Sequence, residues 1–412
     1  MQHFKAFTSS FTAAARDFAR DISSATSDSA SSGKQYSVNG KTFVEEKLLS
    51  EGGFGFVHLV RDLNSGVKFV VKKILCMDKE NYDMAMREVE VFEKLPTHAN
   101  LVRYYGHTVS KESRNREVII VLEFCPGGHL YDLMKQYPDG VPAPKVIKAL
   151  LDVSRGLVAL HSMSPPVQHR DLKLENVLMS ASGNYVLLDF GSWSCDSPDL
   201  SQLTREELMR FGDSVERYTT LMYRPPEMAD LYKGFKVSTK VDIWMLGCIL
   251  FTLINNKHPF QDASTLAIVN CKFSHDAELC KKRPWKLIEL CDWLLAQNPT
   301  DRPDANLLVS ILETWDDQSP LLNLPQSVVD RIEKDSKFLG IGKQSKKKSG
   351  KSTDHLGGWG EAPVDSASNP PPTNPEWKAD FGDLLDIQTE KVNIEQPRRS
   401  SAPSIELPNL LD

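Results

Sequence analysis

The sequence predicts an α+β protein of two lobes, a small strand-rich lobe followed by a larger helical one. Between Tyr36 and Glu123, apolar residues fall in short strand-like runs that turn residues separate. Beyond Gly128 they recur at helical spacing, and a Gly-Gly pair lies at the change between the two patterns. Because each half must bury its own apolar face, we expect a cleft between two lobes, and a site in that cleft.

The elements follow in order along the chain. Five strands and one helix are predicted for the first lobe: strands Lys41–Leu49, Phe54–Arg61 and Val67–Leu75, helix Asn81–Leu95, then strands Leu101–Tyr105 and Val118–Glu123. The clearest helices of the second lobe are Val146–His161, Lys240–Ile254 and Leu287–Ala296. The folded domain is therefore placed at 41–316. Residues 1–40 read as a largely disordered leader, and residues 317–412, with their lysine run and proline cluster, as a disordered tail.

Composition excludes several classes of protein. The formal net charge of −6 over 412 residues does not favour a nucleic-acid binder. The seven cysteines include no CxxC pair, so they indicate reduced thiols, not a disulfide frame or a zinc site. No apolar run approaches the ~20 residues that span a bilayer. We therefore expect a soluble, cytoplasmic protein.

A glycine-rich stretch joins the first two predicted strands. Glycines allow a backbone to approach a bulky anion with its N–H groups aimed at phosphate oxygens, although such a stretch is also typical of an ordinary turn. Ser50 occupies the position of the first glycine in the G-x-G-x-x-G pattern. The candidate nucleotide-contacting residues of this stretch are Ser50, Gly52, Gly53, Gly55 and Val57.

A lysine on the third predicted strand needs an anionic partner if it is buried. Lys72 is the candidate and Glu88 on the following helix its partner, because an unpaired buried ammonium is costly. Lys73 is an alternative for the lysine. Glu90, which lies on a different helix face, and Glu93 are weaker alternatives for the carboxylate.

Two short motifs carry the strongest signal for chemistry. In the run HRDLKLEN, Asp171 can deprotonate a hydroxyl, Lys173 can neutralise a phosphoryl group and Asn176 can hold a metal. After an apolar strand, Asp189 in DFG adds a second hard oxygen ligand suited to Mg²⁺. Both motifs in this order make a chance match improbable.

Residues 41–316 resemble a eukaryotic protein kinase domain, since these motifs and Pro225-Pro226-Glu227 occur in family order. The resemblance implies ATP and Mg²⁺ as cofactors, with Asn176 and Asp189 as metal ligands. It makes Asp171 the catalytic base, Leu122 the gatekeeper, and the stretch from Glu123 to Cys125 the adenine-facing hinge. The implied catalytic set is Asp171, Lys173, Asn176, Lys72 and Glu88.

Further positions follow from the same resemblance. Glu227 is expected to pair with Arg302, and Asp242 to brace the catalytic loop. Lys173 and Thr220 resemble the serine/threonine branch of the family. Two departures are Ser50 and Pro225, which stand where the family usually has Gly and Ala, and neither removes a charged catalytic group.

Several strings resemble the Numb-associated kinase family, which includes the adaptin-associated and cyclin-G-associated kinases. The most specific are ERYTTLMYRPPEM (Glu216–Met228) and STKVDIWMLGCILF. That family has an added helix in its activation segment. Here Leu203, Leu208 and Phe211 are predicted to form one face of such a helix over Leu200–Phe211, with an exposed loop as the alternative.

The termini contain short motifs that suggest partners. Asp380–Ile387 resembles peptides that bind clathrin and adaptor ear domains, and Ser401 lies in a basic-directed phosphosite that a 14-3-3-type protein would recognise. Apolar residues from Phe4 to Ile22 suggest weak peripheral membrane contact. The protein substrates implied are adaptor μ subunits, and the expected location is clathrin-coated pits or vesicles.

Three classes of function remain open on the sequence. The leading one is an active serine/threonine kinase of vesicle traffic or endocytosis, with the actin system or another cytosolic pathway as an alternative. A pseudokinase scaffold would lack a catalytic group, and none is missing. A trafficking adaptor that relies on its tail would leave the complete motif set unexplained.

Overall fold

The computed structural model describes residues 33–52, 55–112, 115–261 and 264–340. Within them the predicted α+β fold of two lobes is confirmed. Gly53, the N-terminal segment 1–32 and the tail motifs of 341–412 lie outside the described residues.

A six-stranded antiparallel sheet forms most of the first lobe. Its strands are β1 (Gln35–Val38), β2 (Lys41–Gly52), β3 (Gly55–Asp62), β4 (Lys68–Cys76), β5 (Tyr104–Glu112) and β6 (Asn115–Glu123), in the order β1-β2-β3-β4-β6-β5. Helix α1 (Lys79–Lys94) packs on one face. Both faces of the sheet are covered by apolar packing, and β6 contributes to each. Ile120 belongs to the main core beside α1, whereas Ile119 and Val121 belong to a second cluster on the other face of the sheet.

The fourth predicted strand, Leu101–Tyr105, is misplaced. The strand begins at Tyr104 and extends to Glu112. Leu101 and Val102 are buried, but they pair with the second lobe: the N–H of Val102 donates to the carbonyl of Leu187 at 3.0 Å. A short apolar run indicates that a segment is buried. It does not indicate whether the segment pairs with a strand of its own sheet or with the other lobe.

Helices dominate the second lobe. They are α2 (Leu130–Gln136), α3 (Ala143–His161), α4 (Arg205–Tyr218), α5 (Pro226–Ala229), α6 (Lys240–Asn255), α7 (Thr265–Val269), α8 (Ala277–Cys280), α9 (Trp285–Leu294), α10 (Ala305–Glu313) and α11 (Gln326–Leu339). Every residue of α6 from Val241 to Asn255 is buried, as expected for a helix that is apolar on all sides. A two-stranded ribbon, β7 (Val177–Met179) with β8 (Tyr185–Leu187), lies between the catalytic motifs.

The ordered fold is longer at both ends than the predicted domain of 41–316. Strand β1 starts at Gln35, inside the predicted leader, and α11 lies inside the predicted disordered tail. Val328, Ile332 and Leu339 are buried in the main core, and with Asp335 they recur at i, i+4, i+7 and i+11. The sequence prediction missed this helix because its apolar stripe covers only a few turns and is followed by a long polar sequence. Among the described residues, no helix is long and apolar enough to cross a bilayer.

Candidate active site

The catalytic loop is fixed from below by a buried carboxylate. Asp242, fully buried at the start of α6, accepts hydrogen bonds from the backbone N–H groups of His169 and Arg170, both at 2.9 Å. His161 Nε2 lies 2.8 Å from the same carboxylate. Burial acts to raise the pKa of Asp242, but the hydrogen bond and charge of His161 and the charge of His169 outweigh it and lower this pKa. The brace therefore stays ionised, and it sets the loop that carries Asp171.

Three side chains converge on the carboxylate of Asp171. Thr220 Oγ1 donates to Oδ1 at 2.7 Å, and Lys173 Nζ donates to Oδ2 at 2.5 Å. Asn176 Nδ2 donates to the main-chain oxygen of Asp171 at 2.7 Å and to Oδ2 at 3.2 Å. The carboxylate is thereby held in one orientation at the cleft, with an ammonium beside it.

Lys72 is the paired lysine of the first lobe. Its Nζ lies 2.7 and 2.8 Å from the two oxygens of Glu88, and 3.0 Å from Asp189 Oδ1. Glu88 is buried on the inner face of α1. This pairing brings α1, β4 and the DFG motif together.

The alternatives to this pair are excluded by position. Lys73 points to the opposite face of β4, where its ammonium lies over the Phe56 ring and 4.0 Å from Glu117. Glu90 pairs with Lys94 on the surface of α1, and Glu93 lies near His107.

The charged groups of this cluster shift the pKa values of one another. Desolvation acts to lower the pKa of Lys72, but the carboxylates of Asp189 and Glu88 outweigh it and raise this pKa. Desolvation would also raise the pKa of Asp189, but the ammonium groups of Lys72 and Lys173 hold it at about 2. Burial raises the pKa of Glu88 despite its ion pair. Lys72 and Asp189 are therefore charged at neutral pH.

Oxygen donors suited to a divalent cation face the cleft. Because Asn176 Nδ2 is committed to Asp171, its amide orientation is fixed and Oδ1 is the oxygen left for a ligand. Asp189 adopts a left-handed backbone conformation with φ of 58°, and Lys72 contacts only its Oδ1. An amide and a carboxylate oxygen fit Mg²⁺, so the predicted metal ligands suit the ion.

Aromatic packing links the metal-binding motif to both lobes. Phe190 is fully buried, with its ring 5.4 Å from Phe92 on α1 and 5.1 Å from His169 of the catalytic loop. Phe92 in turn stacks on Tyr104 of β5 at 5.4 Å. The position of α1, and with it Glu88, is therefore tied to the catalytic loop through Phe190.

The glycine-rich stretch covers a cavity of about 560 Å³ that contains the catalytic side chains. Of the predicted loop residues, Ser50, Gly55 and Val57 line it, while Gly52 ends β2. Gly55 has φ of +134°, and a Cβ there would lie 1.9 Å from the carbonyl oxygen of Lys73. Only glycine fits at this position.

The predicted hinge residues are not among the residues that line this cavity, although Phe124 packs on the same Leu49–Leu59 pair as the lining residue Val57. Leu122 is buried in β6 opposite Val70, Glu123 ends the strand, and the buried Cys125 packs against Leu178 of β7. Burial, with a smaller effect of Glu123, raises the pKa of the Cys125 thiol to about 12. The structure therefore groups the phosphate-side residues in one cavity and leaves the adenine-side residues outside its lining.

The added helix of the activation segment is present but shifted. Helix α4 begins after Thr204, because Thr204 and Glu207 cap each other: the Glu207 N–H donates to Thr204 Oγ1, and the Thr204 N–H donates to Glu207 Oε2. The predicted apolar face is confirmed for Leu208 and Phe211, which pack on a cluster around Val215 and Val241, whereas Leu203 packs on the same cluster from the turn before the helix. Arg170 lies over Phe211 and donates to the carbonyl of Asp196 at 3.1 Å.

Sequence reasoning missed two contributors to this site. Glu175 lines the cavity with a buried carboxylate oxygen, Oε2, that has no hydrogen-bond partner, and burial raises its pKa. Its place inside the HRDLKLEN run was the available signal. Trp193 Nε1 donates to the carbonyl of Arg87 at 2.9 Å and ties the activation segment to α1; no motif marks that contact.

A paired lysine, two metal-suited oxygens and a braced carboxylate across a two-lobed cleft define an ATP-dependent phosphotransferase site. The protein kinase domain family matches residues 43–311. The chain therefore belongs to the protein kinase family.

Curated relatives agree with this assignment. A probable serine/threonine-protein kinase of Dictyostelium discoideum is 35% identical over 286 residues, which cover 68% of this chain and 35% of that protein. A second from the same organism is 33% identical over 279 residues, 67% of this chain and 24% of that protein. The serine/threonine-protein kinase ppk30 of Schizosaccharomyces pombe is 33% identical over 297 residues, 71% of this chain and 30% of that protein. The matches span about a quarter to a third of each relative.

Proposed function

We propose that this chain is an active serine/threonine protein kinase that transfers the γ-phosphoryl group of ATP to hydroxyl groups of protein substrates. The observation that carries the proposal is the carboxylate of Asp171, which Thr220, Lys173 and Asn176 hold at the open cleft. A serine or threonine hydroxyl that reaches Asp171 would be oriented and deprotonated there. Lys173 would offset the charge that develops on the transferred group.

The nucleotide end of the site is supplied by both lobes. Lys72, fixed by Glu88, would contact the phosphates, beneath the backbone of the glycine-rich loop. Asn176 and Asp189 would hold Mg²⁺, which supplies positive charge to the phosphate oxygens when bound. Leu122, Glu123 and Cys125 would border the base.

Purified full-length chain with labelled ATP tests this activity. We expect transfer to serine and threonine peptides but not to matched tyrosine peptides, and loss of transfer in EDTA. Restoring Mg²⁺, with Ca²⁺ as a parallel control, tests the metal. Absence of transfer to serine and threonine under all conditions would overturn the proposal.

We propose further that the kinase acts in clathrin- and adaptor-mediated traffic, as a member of the Numb-associated group in the cytoplasm. The support lies in the sequence: the activation-segment strings, and Asp380–Ile387, an apolar cluster flanked by acids in polar sequence. Such a peptide pays ordering entropy on binding, so one motif should bind weakly and gain from a multivalent coat. Adaptor μ subunits are the proposed substrates.

Two secondary proposals concern other partners. They are the binding of a 14-3-3-type protein at phosphorylated Ser401 and a weak membrane contact near Phe4.

Two variants test the traffic role separately from catalysis. Truncation after Asn369 should leave peptide phosphorylation unchanged but disperse the protein from coated membranes. Alanine at Phe381, Leu384 and Leu385 should do the same in the full-length chain. If clathrin terminal domain and adaptor ear domains both fail to retain the tail, and the triple variant localises normally, the traffic role is wrong. An actin or other cytosolic pathway would then be the alternative.

A further inference from the structure

The catalytic cavity continues beyond the reacting groups as a slot between the two lobes. One wall is a stripe of α1 in which Asn81, Met84, Ala85 and Glu88 recur at i, i+3, i+4 and i+7. At 1.5 Å per residue, the stripe extends about 10 Å from the catalytic ion pair. We call this part the annex; it is lined by Leu75, Asn81, Met84, Ala85, Tyr218 and Thr219.

The annex is mainly apolar. Met84 and Tyr218 are partly exposed and present thioether and aromatic surface, whereas Ala85 is buried in the main core and Leu75 alternates with Ile74 onto the outer face of β4. The lining charge nearest to this surface is Arg217, which is paired with Glu80 on α1, lies beside the Tyr218 ring and donates from Nη2 to Met84 Sδ at 3.5 Å. Apolar surface that stays open to water gains free energy when another apolar group covers it.

The annex is continuous with the place where a substrate hydroxyl must lie. Its floor runs from Tyr218 through Thr219 to Thr220, whose hydroxyl contacts Asp171 at 2.7 Å. Leu122, Glu123 and Cys125, which are proposed above to border the base of ATP, are not among the residues that line the annex. An extended peptide that offers its hydroxyl to Asp171 rises about 3.3 Å per residue, so about three residues fit along the annex.

We propose that the annex binds an apolar side chain of the protein substrate, within about three residues of the phosphorylated serine or threonine. Met84 is the specificity-determining residue, because its unbranched thioether adapts to different apolar side chains, and Tyr218 supplies the facing aromatic surface. This proposal rests on the kinase activity proposed above.

A peptide panel with the full-length chain tests the annex. Each peptide carries one threonine in a glycine/glutamine background, with a single leucine moved from four residues before it to four after it. We expect leucine at one or two adjacent positions to raise kcat/KM about tenfold over glutamine, mainly through KM. Met84→Gln should bring that ratio close to one, and Met84→Leu should keep it. The matched control is Met209→Gln, because Met209 is 60% exposed on α4 outside the cavity, and it should leave the ratio unchanged.

Other outcomes would overturn the proposal. Equal rates across the panel, or a leucine preference that survives Met84→Gln, would exclude an apolar subsite at the annex. Transfer to no peptide at all would count against the kinase activity itself, so the two failures are distinguishable.

Discussion

Arg302 forms two parallel hydrogen bonds with Glu227, at 2.6 and 2.8 Å, and both side chains are fully buried. The same guanidinium donates to the carbonyls of Ala296, Lys240 and Gln297. It thereby joins the end of the activation segment to the helices of the second lobe. The sequence resemblance predicted this pair, and the geometry is the bidentate arrangement that arginine favours.

Breaking this pair should destabilise the fold strongly. Arg302→Met leaves a buried carboxylate without its counter-ion, which should cost about 3–5 kcal/mol of unfolding free energy. Adding Glu227→Gln should recover part of the loss. Thermal and urea unfolding measure both variants, with Arg210→Met in the exposed Arg210–Glu206 pair as the control expected to cost less than about 1 kcal/mol. Equal stability of Arg302→Met and the wild type would contradict this role.

Asp171→Asn should remove the base and keep the fold. The amide retains the shape of the side chain but cannot accept the proton, so kcat should fall by roughly 10²–10⁴-fold or more. The melting temperature and Mg²⁺-ATP binding should change little. Turnover near the wild-type level would show that another group takes the proton.

Asp189→Ala should weaken the response to metal-bound nucleotide. Saturation near 100 times Kd stabilises a protein by about 2.7 kcal/mol, and this gain should shrink when a hard oxygen ligand is lost. The measurement is the melting shift in Mg²⁺-ATP compared with ATP in EDTA. A shift equal to that of the wild type would exclude Asp189 as a metal ligand.

Asp335 should make stability fall as pH rises. Burial and the nearby Asp292 raise its pKa in the folded state despite the 2.7 Å contact from Arg331, and His275 also faces the group. Because the folded state holds this proton more tightly than the unfolded chain, the stabilisation is complete below the ordinary pKa near 3.8. It is lost as pH rises through the raised value.

Asp335→Asn should therefore be more stable than the wild type at neutral pH and similar to it near pH 4. The amide also carries no charge for Asp292 to repel. Urea unfolding across this pH range checks the prediction, with Asp330→Asn on the exposed side of the same helix as the control. Parallel curves for wild type and Asp335→Asn would contradict it.

The catalytic groups were predictable because their chemistry leaves few substitutes. The motif order implies that four charged residues come together in the cleft, and Lys72, Glu88, Asp171 and Asp189 do so. Phosphoryl transfer from ATP requires these charges around the phosphates, so few other residue types can replace them. The helix of the activation segment was predictable from its apolar face, but its start depends on the capping pair of Thr204 and Glu207. A local hydrogen bond of this kind shifts a boundary by several residues without changing the apolar pattern.

Other features depend on contacts that no local pattern records. The strand expected at Leu101 became a link to β8, because burial in either lobe leaves the same apolar signature. The annex arises only where the α1 stripe meets Tyr218 and Thr219, which are separated by more than a hundred residues along the chain. The hydrogen bond from Trp193 to the Arg87 carbonyl likewise forms only when the activation segment is folded against α1, so no local sequence pattern predicts it.

The packing of α11 determines where a recombinant fragment of this kinase can be cut. A fragment that stops at residue 316, the end suggested by motif boundaries, would strip Val328, Ile332 and Leu339 from the core and leave an uncovered apolar groove on the second lobe. Such a surface promotes self-association in concentrated samples. A fragment that extends to Gly340, whose left-handed backbone ends the helix, keeps the groove covered and suits crystallisation and inhibitor screening.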